Sequence, residues 1–326
     1  MNIYDVAKEA GVSIATVSRV INNKGYVSEK TRQKIEAVLA KSEYQPSAIA
    51  RGLAMGSMKT VAIFAVDVRV PHYAMTSFII EQKLSKLGYM VVLCNTGEDP
   101  ENWKRYLRTM MERKIDGIIM TGSIYNRLDG DPVLETTGEI PIVLANGRLG
   151  RENCHSVIVD EGRGIELAAE HLYKRGHRRL AYVADKDTES GERKMGGFIR
   201  QMKLLGADSP ERDVYETEYG LDGGSAIALK LHAKGYDGLV FGEDLTAVGA
   251  MNELLRIGVD IPGEIAITGC NNSEYSYVCR PALTTVNNKG NILADLTSDL
   301  LVDLIEKRKE TAELVIMPEL VVRETS

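Results

Sequence analysis

Along the first sixty residues, apolar positions recur at helical spacing in three short bursts. Ile3, Val6, Ala7 and Ala10 share one face of a segment that Asn2 can cap, and Gly11 can take the left-handed conformation that turns the chain. Ser13 then caps Ile14 to Asn22, with Val17, Val20 and Ile21 facing inward. Ser28 opens Glu29 to Ser42, whose apolar stripe is Ile35, Val38 and Leu39. Helix, tight turn, helix is the helix-turn-helix plan, in which the second helix enters the major groove of DNA. On that helix Ile14, Ala15, Thr16, Ser18, Arg19 and Asn22 face outward. Arg19 is the natural guanine reader, because its planar fork can donate to O6 and N7 together, and Ile14 and Ala15 suit thymine methyls. The alternative reading of the same residues is a small protein-interaction module.

From Thr60 the pattern changes. Short, near-continuous apolar runs alternate with amphipathic segments: Val61–Val66, Met90–Leu93, Gly117–Met120 and Ile140–Leu144, then Leu180–Val183, Gly238–Phe241 and Ile265–Thr268. Strands of this kind, separated by helices, predict parallel sheets covered on both faces. The two sets echo each other, since Lys114-Ile115-Asp116-Gly117-Ile118-Ile119 resembles Gly235-Tyr236-Asp237-Gly238-Leu239-Val240. Two similar α/β lobes predict a cleft between them, where ligands meet the carboxyl ends of the strands.

Charge sharpens the division. Residues 1–58 carry eight basic and five acidic side chains, whereas the rest holds an acidic excess of nine within a total net charge of −6. A basic head on an acidic body suits a protein that touches a polyanion with one end only. Cys94, Cys154, Cys270 and Cys279 have neither C-x-x-C spacing nor histidine partners, so free thiols in a reducing compartment are expected, with no metal and no cofactor. The amino terminus lacks the basic and apolar regions of a signal peptide, and no run reaches the length of a membrane span. A cytoplasmic protein with no membrane partner is the expectation.

The stretch from Ile3 through Ala7-Lys8-Glu9-Ala10-Gly11-Val12-Ser13 to Asn22 resembles, nearly residue for residue, the headpiece of the LacI/GalR (lactose-repressor) family. Tyr44-Gln45-Pro46-Ser47-Ala48-Ile49-Ala50-Arg51-Gly52-Leu53-Ala54 resembles that family's hinge helix. The resemblance implies base-reading positions at Ile14, Ala15, Thr16 and Arg19, and a Leu53 side chain wedged into the minor groove at the operator centre. The physics of the segment agrees: residues 47–54 are too few to form a stable helix alone in water. They would order on kinked DNA, and the small Ala50 would let paired copies approach closely. The other reading of residues 46–58 is a plain linker.

For the body the resemblance implies the type I periplasmic-binding-protein fold, whose chain passes between lobes three times. The expected organisation is a headpiece over residues 1–45, a hinge and linker over 46–58 and an effector-binding, dimerising core over 59–326. Within that core, lobe 1 is about 59–158 with 288–317, and lobe 2 about 159–287 with 318–326.

Candidate cleft residues fall on loops after strands: His72, Tyr73, Ser123, Asn146, Asp160, Lys194, Tyr219, Glu243 and Asn271. Tyr73 reads equally as a packed aromatic, and Asp160 as the cap of the helix that begins at Glu161. Four positions depart from the family's pattern. Lys194 stands where its sugar-gripping arginine is usual, with Arg193 next door; lysine and arginine are not equivalent in such a grip. Glu243-Asp244 replaces Asn-Asp, Cys270-Asn271-Asn272 replaces aromatic-Asp-Asp, and Val70 replaces the asparagine before Pro71. These departures point away from a plain neutral hexose and toward a glycoside, an amino or acidic sugar, or a sugar phosphate.

A two-fold operator requires a two-fold protein, so a homodimer on double-stranded DNA is expected. Control by a phosphoprotein corepressor is an open alternative. A transport-linked solute-binding protein explains the body and leaves the headpiece without a role. An enzyme is disfavoured, since no H-E-x-x-H, G-x-S-x-G or phosphate loop is present.

Overall fold

The computed structural model describes residues 2–21, 25–41, 56–184, 188–309 and 313–326. The chain divides into two compact units, one within Met1–Thr60 and one comprising nearly all the rest. In the first, α1 (Ile3–Ala10), α2 (Ile14–Ile21) and α3 (Glu29–Lys41) enclose Val6, Ala7, Ala10, Val17, Val20 and Ile35. Asn2 caps α1 through the Tyr4 and Asp5 amides, and the Asp5 carboxylate accepts the Asn2 amide in return. Gly11 closes the helix in the left-handed conformation at φ 65°. Ser13 and Ser28 accept the amides of Thr16 and Thr31 at the starts of α2 and α3. These side chains satisfy amides that a short helix otherwise leaves unpaired, so the three caps read from sequence are also the structural ones.

The larger unit begins with β1 (Thr60–Ala65), α4 (Pro71–Lys86), β2 (Met90–Asn95), α5 (Pro100–Glu112), β3 (Gly117–Thr121), β4 (Ile142–Ala145) and β5 (Cys154–Val159). It continues with α6 (Glu161–Lys174), β6 (Leu180–Ala184), α7 (Glu189–Leu204), β7 (Val214–Glu216), α8 (Leu221–Ala233), β8 (Gly238–Phe241), α9 (Asp244–Arg256) and β9 (Ala266–Cys270). The remaining elements are α10 (Tyr275–Val278), β10 (Thr284–Asn287), α11 (Gly290–Ile305), β11 (Glu313–Ile316) and β12 (Glu319–Val321).

Two six-stranded sheets result, ordered β11-β5-β4-β3-β1-β2 and β12-β10-β9-β8-β6-β7. The central strands pair in parallel, and β12 runs antiparallel to β10. The orders match position for position: β3 and β8, the two strands introduced by Asp-Gly, occupy the same place in each lobe. Every apolar run marked as a strand is one. The α/β class with two parallel-sheet lobes and a helical N-terminal unit is therefore the observed fold.

Each sheet is covered on both faces. In lobe 1, Ile63, Ile119 and Val143 pack under α4 and α11, while Phe64, Trp103 and Tyr125 meet on the other side. In lobe 2, Leu239, Phe241 and Ile267 lie with α8 and α9, and Tyr182, Val240 and Phe198 with α6 and α7. The chain leaves the first sheet at Asp160, returns to it after β10 through Asn288 and Lys289, and leaves again through Met317 and Pro318.

Helices α6 and α7 cross at a pair of glycines. A Cβ placed on Gly197 would run into the carbonyl of Gly162, which is backbone and cannot swing aside. Gly197→Val is expected to lower unfolding stability by roughly 1–3 kcal/mol through overpacking, read as a fall in denaturant midpoint at unchanged slope.

Candidate ligand cleft and nucleic-acid surface

On α2, Ile14, Ala15 and Arg19 are exposed while Val17 and Val20 are fully buried, so the helix presents one free face. Thr16 is half-buried, and its hydroxyl lies 2.9 Å from that of Ser13. It therefore stiffens the helix start as well as sitting beside the free face. Asn22, Ala50 and Leu53 lie outside the described residues.

In the larger unit, a cleft runs between the lobes. It is built at strand carboxyl ends: Thr121, Ala145 and Val159 from the first sheet, and Tyr182 and Ala184 from β6, line it directly. Glu243, Asn271 and Asn288 follow β8, β9 and β10. Asn146 and Asn271 hold matching positions one residue beyond β4 and β9, each with a left-handed backbone at φ 68° and 99°. Asparagine tolerates that conformation better than most residues, and it turns both amides toward the space between the lobes.

Seven sequence-predicted residues line this cleft together: His72, Tyr73, Ser123, Asn146, Lys194, Glu243 and Asn271. The His72 and Tyr73 rings pack with centroids 4.0 Å apart. Tyr73 also covers Gly122, where an added Cβ would lie 3.0 Å from its hydroxyl. Burial raises the Tyr73 hydroxyl well above the usual tyrosine range, with the negative charge of Glu243 adding to the effect, so it stays protonated.

Three predicted residues are not on the lining. Asp160 caps α6, accepting the Arg163 amide at 3.1 Å, an acceptor that a helix start needs. Arg193 stands behind the lining and donates to Glu189 at 2.8 Å and to the lining residues Glu161 at 3.0 Å and Asn146 at 3.1 Å. Of the two adjacent cations, it is Lys194 that lines the cleft. Tyr219 sits before α8 and is not on the lining.

Sequence reasoning missed Glu161 and Asn288. Glu161 is 3% exposed and lies beneath Lys194 at 3.9 Å. Burial opposes its charge, but Lys194, Arg193, Ser190 and Asn146 outweigh burial and hold its carboxyl below the usual range. Lys194 is equally buried; its Nζ donates to the Gly242 carbonyl at 3.0 Å and lies 3.6 Å from Glu243. Cys270, Glu243 and Glu161 together raise its pKa well above the ordinary lysine value despite desolvation. Beside this cluster, burial pushes the Asp244 carboxyl up to about 7, against hydrogen bonds from Thr285 and Ser273 that favour the anion. Glu161 reads in sequence as an ordinary acidic residue of a helix first turn; its adjacency to Asp160 was the available signal.

A three-helix unit with a free second-helix face, preceding a two-lobed receptor core, defines a DNA-binding regulator of the helix-turn-helix class. A family model described as bacterial regulatory proteins, lacI family, matches residues 2–47, and one for a periplasmic binding protein-like domain matches residues 169–326. An HTH-type transcriptional regulator of Lachnoclostridium phytofermentans is 33% identical, covering 100% of this chain and 99% of its own. The ribose operon repressor of Halalkalibacterium halodurans is 31% identical, with 99% and 96% covered. Among solved structures, the lac repressor dimer bound to operator and the anti-inducer ONPF superposes with TM-score 0.86 at 23% identity, covering 100% of this chain and 98% of that one. The transcriptional regulator CelR in complex with cellobiose gives 0.73 at 26% identity, with 99% of each chain covered. The chain belongs to the lacI family of bacterial regulatory proteins. It is a transcriptional regulator, as these relatives are, and not an enzyme.

Proposed function

We propose that this regulator represses carbohydrate-utilisation genes from the cytoplasm, binding a palindromic operator as a homodimer under the control of a sugar-like effector in the interlobe cleft. The observation that carries the reading is the cleft itself. Hydroxyls, amides and carboxylates from both lobes converge there beside the His72 and Tyr73 rings, a mixture suited to a compound with polar edges and apolar flats. The dimer is supported by an exposed apolar face on lobe 1. Met75 and Phe78 on α4, with Met90 and Leu93 on edge strand β2, are each at least half exposed, an arrangement that lone domains ordinarily avoid.

In this reading Ile14, Ala15, Thr16, Arg19 and Asn22 meet base edges, and Ala50 and Leu53 act in the hinge. Effector binding changes the angle between lobes and with it the spacing of the paired hinge segments. DNA affinity then shifts by a coupling energy of about 1–3 kcal/mol. The test is a thermal-shift screen against sugars, amino sugars, glycosides and sugar phosphates, followed by operator binding with and without each hit. A ligand at a hundred times its dissociation constant raises stability by about 2.7 kcal/mol, which is readily seen. A hit that leaves operator affinity unchanged overturns effector control and directs the search to a protein co-regulator such as a phosphoprotein. A monomer in sedimentation at micromolar concentration overturns the dimer.

A further inference from the structure

At the end of lobe 2 opposite the cleft, the amino ends of β6 and β8 lie side by side, since Leu180 pairs with Gly238. The segments that lead into these strands are strongly basic. Residues 173–179 and 230–237 hold six lysines and arginines and one acidic side chain, in a body with an acidic excess of nine. Four of these cations, Arg178, Arg179, Lys230 and Lys234, are exposed, and none has a carboxylate in ion-pair contact among the described residues.

The nearby carboxylates are engaged elsewhere. Asp237 accepts the backbone amides of Arg178 at 3.0 Å and Arg179 at 2.9 Å, and Asp213 accepts the Tyr236 hydroxyl at 2.6 Å. Both therefore satisfy uncharged donors. The cations rest on aromatic rings instead. Arg178 lies 4.1 Å from the Tyr173 ring centroid and Arg179 5.5 Å from that of Tyr236. Lys234 and Lys230 stand 4.7 and 5.5 Å from the Tyr215 centroid, and Lys234 also donates to the Tyr215 hydroxyl at 2.9 Å. The Tyr215 and Tyr236 rings meet edge to face, which joins these supports into one platform from β8 across β6 to the edge strand β7.

A ring face attracts a cation without neutralising it, so these charges are positioned and still open to a partner. A solvated lysine or arginine gives up side-chain freedom when it pairs, and one already seated on a ring gives up less. The platform discriminates between polyanions. Its rings are covered by its own cations, which leaves no face on which nucleic-acid bases stack. Asp213 and Asp237 also stand among the cations, where a continuous row of phosphates would meet them. Carboxylates spaced along a protein segment can fall between those two acids, and a guanidinium fork matches a carboxylate through two hydrogen bonds.

We infer that this end of lobe 2 is a docking surface for an acidic segment of another protein, received by Arg178, Arg179, Lys230 and Lys234. The surface shares no residue with the cleft lining or with α2, so it is independent of both effector binding and base reading.

The experiment is fluorescence anisotropy of the full-length chain with a labelled oligoglutamate peptide at low salt, followed by carbodiimide coupling and peptide mapping. The wild-type chain is expected to bind, more weakly as salt rises, and to couple the peptide at Lys230 and Lys234. Arg178→Glu combined with Lys230→Glu should weaken binding at least about tenfold, because two attractions become repulsions. Arg178→Gln combined with Lys230→Gln should weaken it by a smaller factor. An unchanged thermal midpoint in both pairs separates lost docking from lost folding, and the coupling map reads the wild-type chain alone. Lys8→Glu combined with Lys30→Glu, exposed on α1 and α3, should leave peptide binding unaltered. Absence of wild-type binding, coupling confined to other lysines, or undiminished binding after reversal at Arg178 and Lys230 overturns the inference. Loss of binding on reversal at Lys8 and Lys30 overturns it too, by placing the peptide on the first unit. A random DNA duplex that loses more affinity than the peptide on reversal at Arg178 and Lys230 overturns it in favour of a nucleic-acid surface. Assembly beyond a dimer that the same reversal abolishes overturns it in favour of a second copy of this chain.

Discussion

Replacing Lys194 with methionine is expected to lower the thermal midpoint of the large unit by on the order of ten degrees, from a loss of about 3–5 kcal/mol. Methionine fills much the same space, so the loss is electrical. Two buried carboxylates, Glu161 and Glu243, now share the Lys194 ammonium. Without it, Glu161 retains Arg193, but the pair together carries an uncompensated charge. At neutral pH the cheaper escape is protonation of one carboxyl, which costs about 1.4 kcal/mol per pH unit above its ordinary value.

The pH dependence follows from the directions of the shifts. Glu161 is held low in the folded chain, so its contribution is present at neutral pH and fades as pH falls through the folded value. Lys194 is held high, so its contribution is complete everywhere below the ordinary lysine value. Between pH 7 and about pH 5 the wild-type cluster keeps its contribution, because Glu161 loses its charge only below the ordinary carboxylate value, while acid relieves the variant of its stranded charge. Melting curves of the two proteins should therefore converge over that range through recovery of the variant. A shift below about two degrees at pH 7, or a gap that widens in acid, would refute the buried-cluster account.

The second large effect concerns DNA. Arg19→Ala should cost roughly 1–3 kcal/mol at the cognate operator, up to about a hundredfold in affinity, and relax preference at one base pair. Arg19 stands on the exposed face of α2, next to the buried Val20, so truncation removes a reaching group without touching the core. Fluorescence anisotropy against operators altered one base pair at a time provides the measurement. Uniform weakening on operator and random DNA alike would mean that Arg19 meets phosphate and carries no sequence information.

Much of this architecture was legible in the chain. β1, β3 and β8 are near-continuous apolar runs because both faces of a central parallel strand are buried, and such runs announce themselves. β5 and β10 did not, because they open on Cys154-His155-Ser156 and Thr284-Thr285, polar residues that the sheet buries and satisfies. The Thr285 hydroxyl, for instance, donates to Asp244 at 2.5 Å. β7, β11 and β12 are short edge strands with exposed positions and carry little pattern at all.

The cleft was legible as a set of loops after strands, which is why seven of the residues named from sequence fall on its lining. The division of labour inside it was not. Whether Arg193 or Lys194 lines the cleft depends on helix phase at α7, and the burial of Glu161 depends on what α7 lays over it. Neither is visible in local sequence. Asn288 was missed because it lies in a connection between lobes, where a polar residue looks like ordinary punctuation.

The three passages of the chain between lobes also govern the order in which this protein can be made. Lobe 1 draws its edge strand β11 and its covering helix α11 from beyond residue 289, after almost all of lobe 2. On a ribosome the first five strands emerge early, yet β5 lacks the neighbour that shields its edge and α4 lacks the α11 surface it packs against. Lobe 1 must therefore wait, half-covered, while lobe 2 is synthesised. At translation speeds of roughly 5–20 residues per second that pause lasts on the order of ten seconds. Nascent lobe 1, with its open β5 edge, is thus the stage at which a chaperone has the most to protect.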